Sequence, residues 1–205
     1  MPHPNPDFPV RSKTSAVAMW LFLASLSMLF FAGMFGYLMM RFHVTRLGMD
    51  PQEGVAQPPD FAPVHLSPIF ILSTAIVIFG SWTIHRAVAT IRREKQTAAR
   101  RWIWTTLIVA VVFCLVQFPG LYDLFKQHVP SMHAGANLAL LIGCLIILHA
   151  LHIIGGIAYL AVVANRAALG MYDHEHYVGI RHAALYWHFL DIVWLVMYGT
   201  MLAVG

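Results

Sequence analysis

Charge is what this sequence has least of. Only 11% of its residues are Asp, Glu, Lys or Arg, against about 25% in a soluble domain. Hydrophobic residues make up 59%, so most of these side chains need lipid as their solvent, which excludes an ordinary soluble fold. Cysteine is scarce too: Cys114 and Cys144 are the two in the chain. Both fall in apolar stretches and read as small core residues, with no disulfide expected. No phosphate-binding glycine loop, nucleophile elbow or paired-cysteine motif occurs, and there is no internal repeat. Polar-apolar alternation is missing, and the apolar runs are far longer than barrel strands, which argues against a β-barrel.

What is present is five long apolar runs, at about 15–40, 68–90, 102–120, 137–164 and 183–204. A bilayer core takes roughly 20 residues of helix. The expected fold is an all-α integral membrane protein, one bundle of five transmembrane helices over residues 15–205. Residues 1–14, "MPHPNPDFPVRSKT", are proline-rich and are expected to form an irregular cytoplasmic N-terminus. The first run is too long for a signal-peptide core and lacks a cleavage site, so it reads as a retained helix. Ten of the 13 Lys and Arg lie before span one, from the end of span two (Arg86) to the start of span three, or between spans four and five; Arg41, Arg46 and Lys126 lie on the other side. The positive-inside rule then places the N-terminus inside and the C-terminus outside. The pI of about 9.3 therefore reflects topology and calls for no nucleic acid. The basic stretch "HRAVATIRREKQTAARR" orients the chain and meets lipid headgroups. The outer stretch "FHVTRLGMDPQEGVAQPPDFAPVHLSP" is a Pro- and Gly-rich connector.

Ionisable groups do occur inside the spans, where an unpaired one costs several kcal/mol. His149, His152, Gly156 and Tyr159 share one face of span four, and Trp187, Asp191, Trp194 and Tyr198 share one face of span five. His188 lies one turn from Asp191. The two stripes are expected to satisfy one another or a neighbouring helix, with a His152–Asp191 contact within reach after a depth offset of roughly 6 Å. The i, i+3 pairs His149/His152 and His188/Asp191 have chelating spacing, as in di-metal bundles. Spans one to three, however, contain no Asp or Glu; three imidazoles and one carboxylate could hold only a single zinc or iron. Haem would need matching histidines on a second helix, and proton transfer would need further polar groups. The favoured role is a structural polar network of His149, His152, Tyr159, Trp187, His188, Asp191 and Trp194, with no catalytic, cofactor or metal residue. A second cluster, Asp173, His174, Glu175 and His176, reads as a solvated loop. Ala32, Gly33 and Gly36, and the hydroxyls Ser73, Thr74, Ser81 and Thr83, read as helix packing.

The segment "YWHFLDIVWL", Tyr186–Leu195, resembles the last-helix signature of subunit III of the haem-copper oxidases, the cytochrome c oxidase family. "HALHIIGG", His149–Gly156, is similar to the His-x-x-His-x-x-Gly stretch of the preceding helix. "HYVGIRHAAL", "STAIVIFGSWT", "WLFLASLSMLFFAGMF" and Gln117 resemble other parts of that subunit. The resemblance implies the short, five-helix bacterial form. It implies a non-catalytic accessory subunit in the bacterial inner membrane, without haem or metal of its own. Haem and copper are then expected in a large catalytic subunit I, which with other oxidase subunits and structural lipids makes up the partners. The chain would stabilise that subunit and support proton-coupled oxygen reduction in aerobic electron transport. The family usually carries Glu where this chain has Leu26, Gly120 and Arg181, and Thr-Gly where it has Ile146 and Ile147. The other readings are an accessory subunit of a nitric oxide reductase, a small proton or solute carrier, and a stand-alone membrane metalloenzyme using His149, His152, His188 and Asp191.

Overall fold

A computed structural model describes residues 8–46, 68–133, 137–172 and 177–204. They form five helices: α1 Phe8–Arg46, α2 Ile69–Ile91, α3 Gln96–His133, α4 Asn137–Ala168 and α5 Val178–Val204. All five are long and apolar enough to cross a membrane, and no strand occurs among the described residues.

Three boundaries differ from those expected. Helix α1 begins at Phe8 and takes in residues 8–14, whereas residues 1–7 lie outside the described residues. Pro9 is no obstacle, because a first-turn residue has no intrahelical partner for its N–H. Helix α3 runs through Pro119 and Gly120 to His133. A membrane helix tolerates an internal proline where packing secures the helix around it, and Phe70 of α2 lies close against Gly120. Helix α5 starts at Val178 rather than 183, because the buried Ile180 draws the first turn onto the core.

Two helix ends close with the same device. After α2, Glu94 has φ 59, Lys95 N–H donates to Thr90 O, and Glu94 N–H donates to Ile91 O. After α4, Gly170 has φ 72, with Met171 N–H on Arg166 O and Gly170 N–H on Ala167 O. Both are Schellman motifs, which satisfy carbonyls that the helix itself leaves open. The first turns the chain tightly from α2 into α3.

Helices α2 to α5 enclose the main core, with Ile84, Ile103, Phe113, Leu160 and Val163 almost wholly buried. Small residues (Ala87, Ala110, Ala164, Ala183) sit among them and let the helices approach closely. Thr106 of α3 donates to Thr83 of α2 at 3.0 Å, and Thr83 donates to Gly80 O. Helix α1 lies at the edge of this core and buries the least of its length. It docks through Leu23, Leu26 and Phe30, and through Gly33, which faces Leu145 of α4. Its other face, with Trp20, Leu21, Met28 and Phe31, is exposed apolar surface.

Candidate functional site

The polar stripe of α5 points into the bundle. Trp187, Asp191 and Trp194 are buried, which removes them from the apolar exterior and obliges their polar atoms to find partners. Asp191 finds one on α2: Ser81 Oγ donates to Asp191 Oδ2. The same hydroxyl lies 2.7 Å from His188 Nδ1. A serine hydroxyl has one proton. With Asp191 ionised and taking that proton, His188 must carry its own on Nδ1 and donate to Ser81. The order His188, Ser81, Asp191 is thus a directed hydrogen-bond chain linking α5 to α2 and back.

A second chain lies two turns of α2 away from the first, on the same face. Trp194 Nε1 donates to Thr74 Oγ1 at 3.1 Å, and Thr74 donates on to Phe70 O at 2.7 Å. Thr74 and Ser81 are seven residues apart and therefore share a face of α2. From sequence alone both read as ordinary packing residues. Their spacing is the sequence signal that points to the partner helix, because α5 offers its donors and acceptor at matching intervals.

The expected His152–Asp191 contact does not form. His152 Nδ1 bonds to Leu148 O of its own helix at 2.6 Å, and Tyr186 of α5 donates to His152 O at 3.0 Å. Nor does Asp191 accept from the indoles: Trp194 is taken by Thr74, and Trp187 Nε1 has no hydrogen-bond partner among the described residues. Depth along the helices allowed the pairing with α4, but rotation decided it, since α2 presents the Ser81 hydroxyl to Asp191. Tyr159 reaches Gly179 O at 3.3 Å and so joins α4 to the start of α5, apart from the Asp191 group.

His149 is buried with both ring nitrogens unpartnered among the described residues. Its contacts are aromatic: it stacks on Trp194 with centroids 5.7 Å apart and meets Phe30 edge-on at 6.1 Å. A cavity of about 10 Å³, lined by Phe113, His149, Trp187, Asp191 and Trp194 among others, separates it from the carboxylate. That is about the volume one water requires. Gln117 is likewise buried, with neither amide atom partnered among the described residues.

Chemically, this seam can hold and orient protons and bind helices together. Among the described residues no three His, Cys, Asp or Glu side chains converge as a metal would need. The Asp173–His176 cluster lies outside the described residues. Cys114 is half-buried and Cys144 exposed, both as free thiols.

Fold and seam together define an integral membrane protein in which His188 and Asp191 are bonded within its own helix bundle. The family model for cytochrome c oxidase subunit III matches residues 8–205, and the chain belongs to that family. It is similar to cytochrome c oxidase subunit 3 of Thermostichus vulcanus, at 28% identity, with 96% of this chain and 87% of that one covered. It is similar to the same subunit of Scyliorhinus canicula, at 29% identity over 93% of this chain and 69% of that one. With the subunit of Patiria pectinifera the figures are 28%, 88% and 66%.

Proposed function

We propose that this chain is a non-catalytic, subunit III-like accessory subunit of a respiratory haem-copper terminal oxidase in a bacterial inner membrane. The observation that carries the reading is the family match along nearly the whole chain. The polar seam supports it: His188 and Asp191 are spent on bonding α5 to α2, which is the work of a scaffold. The partner is a large subunit bearing the haem and copper, together with other oxidase subunits; this chain binds neither haem nor metal. The exposed apolar face of α1 offers area for that assembly. The N-terminus and the α2–α3 turn lie on the cytoplasmic side in this reading, which the Lys and Arg distribution supports.

The test is purification of the tagged chain in mild detergent, followed by an optical spectrum and metal analysis of the complex and of the separated chain. Haem should come with the complex and stay with another polypeptide. Recovery of the chain alone under conditions that keep oxidases assembled would overturn the reading. So would stoichiometric iron, zinc or copper in the separated, folded chain.

A further inference from the structure

Between α2 and α5, at the end where α2 turns into α3, lies a cavity of about 410 Å³. One water takes up about 30 Å³ in the liquid, so there is room for several. The charged and titratable lining is His85, Arg92 and Arg93 of α2 with Arg181 and His188 of α5. Arginine keeps its proton in proteins, whereas imidazole is the side chain suited to proton exchange. The exchanging groups of this wall are therefore His85 and His188. His188 also belongs to the hydrogen-bonded chain. Its Nδ1 lies 2.7 Å from Ser81 Oγ, which leaves Nε2 as the nitrogen for the cavity. Ser81 in turn donates to Asp191 Oδ2. His85 and Ser81 are four residues apart and share a face of α2. A sequence of exchangeable groups thus runs from the cavity to a buried carboxylate.

This chain can run in either direction, and reversing it moves a proton. With Asp191 ionised, His188 Nδ1–H donates to Ser81 and Ser81 donates to Asp191. When a proton from cavity water binds Nε2, the Nδ1 proton can pass to Ser81 Oγ while the hydroxyl's own proton passes to Oδ2. One N–H bond forms at Nε2 and one breaks at Nδ1. Ser81 exchanges one O–H bond for another, and one O–H bond forms on Asp191. The net change is one proton carried from the cavity to Asp191. Asp191 then donates to Ser81 and Ser81 to Nδ1, so both hydrogen bonds persist and α5 stays joined to α2. Beyond Asp191 the sequence of groups ends. The 10 Å³ cavity between Asp191 and His149 is walled by Val77, Phe113, Ile153 and Leu190 along with the indoles, and His152 is bonded to its own helix. The charged or titratable groups facing the relay are thus His85, Arg92 and Arg93 of α2, Arg181 of α5 and, across the small cavity, His149 of α4. Helix α3 brings Phe113 and no charge, and among the described residues α1 lines neither cavity.

We propose that His188 and Ser81 form a proton relay between the α2–α5 cavity and Asp191, making Asp191 a proton store with access from the α2–α3 end alone. It loads and releases a proton without conducting one across the bundle. The relay needs only this chain in a membrane and stands whether or not the oxidase reading holds.

The test uses the purified protein, with whatever subunits accompany it, in lipid nanodiscs. The pH is lowered rapidly and the sample is followed by time-resolved infrared spectroscopy. A carboxylic-acid C=O band that is missing from Asp191→Asn reports the proton on Asp191. The wild type should gain this band as the pH falls. His188→Phe and Ser81→Ala should gain it about a hundredfold more slowly, the lower end of what a positioned proton-transfer group supplies. Ser81→Thr, which keeps the hydroxyl, should retain the wild-type rate. So should Thr74→Val, which breaks the neighbouring α2–α5 bond to Trp194 and controls for a loosened seam. Where His188→Phe fails to fold, Ser81→Ala decides. A wild-type rate in Ser81→Ala would overturn the relay, and equal slowing in Thr74→Val would do the same. Absence of an Asp191 band at every pH where the protein stays folded would overturn the proton store itself.

Discussion

At Asp191, losing the charge and losing the acceptor are different injuries. Asp191→Asn keeps an oxygen for Ser81, whereas Asp191→Leu removes that acceptor and leaves the part-buried hydroxyl to His188 alone, at a cost of about 1 kcal/mol. We expect Asp191→Leu to lower the thermal stability or yield of the assembled protein, and Asp191→Asn to lower it less. Oxygen turnover per assembled complex should be unchanged in both. Full assembly of Asp191→Asn with turnover abolished would make Asp191 part of a proton path. His149 is the converse case. Its nitrogens have no partner among the described residues, and its ring is already stacked on Trp194. His149→Phe keeps the stacking and removes buried polar atoms, so it should assemble at wild-type yield in a detergent-stability assay. A drop of several-fold would show that the imidazole bonds to something in the assembled protein. Leu26 is buried among core residues, and Arg181 lines the cavity between α2 and α5.

Two helix-level features rest on glycine. Gly170 closes α4 with φ 72, and a Cβ there would meet nothing within 4 Å. The penalty for Gly170→Ala is therefore backbone strain alone, about 1–2 kcal/mol, measurable as a fall in thermal midpoint without loss of fold. Gly33 is different. A Cβ at that position would lie 2.5 Å from Leu145 Cδ2, so bulk there pushes α1 off α4. Gly33→Val should loosen α1 while α2–α5 hold, detectable as faster proteolysis within α1 in detergent. The contrast follows from burial, since α1 is the outlying helix and α5 buries the most of its length.

For the whole molecule, the distribution of Lys and Arg predicts a cytoplasmic α2–α3 turn. A cysteine introduced at Lys95, in a variant lacking Cys114 and Cys144, should resist an impermeant thiol reagent in intact cells and react after permeabilisation. Labelling from outside would invert the topology and move the arginine-lined cavity to the outer leaflet. An assembled chain should also have the α1 exterior covered. Trp20 and Phe31 on that face are the positions where a charged substitution should cost assembly with other subunits while leaving the isolated chain folded.

Composition alone determined that this chain lives in lipid, because five runs near bilayer length have no other solvent. Helical periodicity determined which side chains of α4 and α5 share a face, since 3.6 residues per turn is a local property. The final signature around Trp187–Trp194 was enough to place the family. Partner choice was not local. Ser81 and Thr74 are the partners of Asp191 and Trp194 because of how α2 is rotated against α5, and that rotation is set by close packing such as Gly80 against Trp187. The same holds for Arg92, Arg93 and Arg181. They are separated by almost ninety residues of sequence, and only the antiparallel return of α5 onto α2 gathers them around one cavity. Periodicity assigns a residue to a face of its own helix, but the packing of small against large residues decides which helix that face meets.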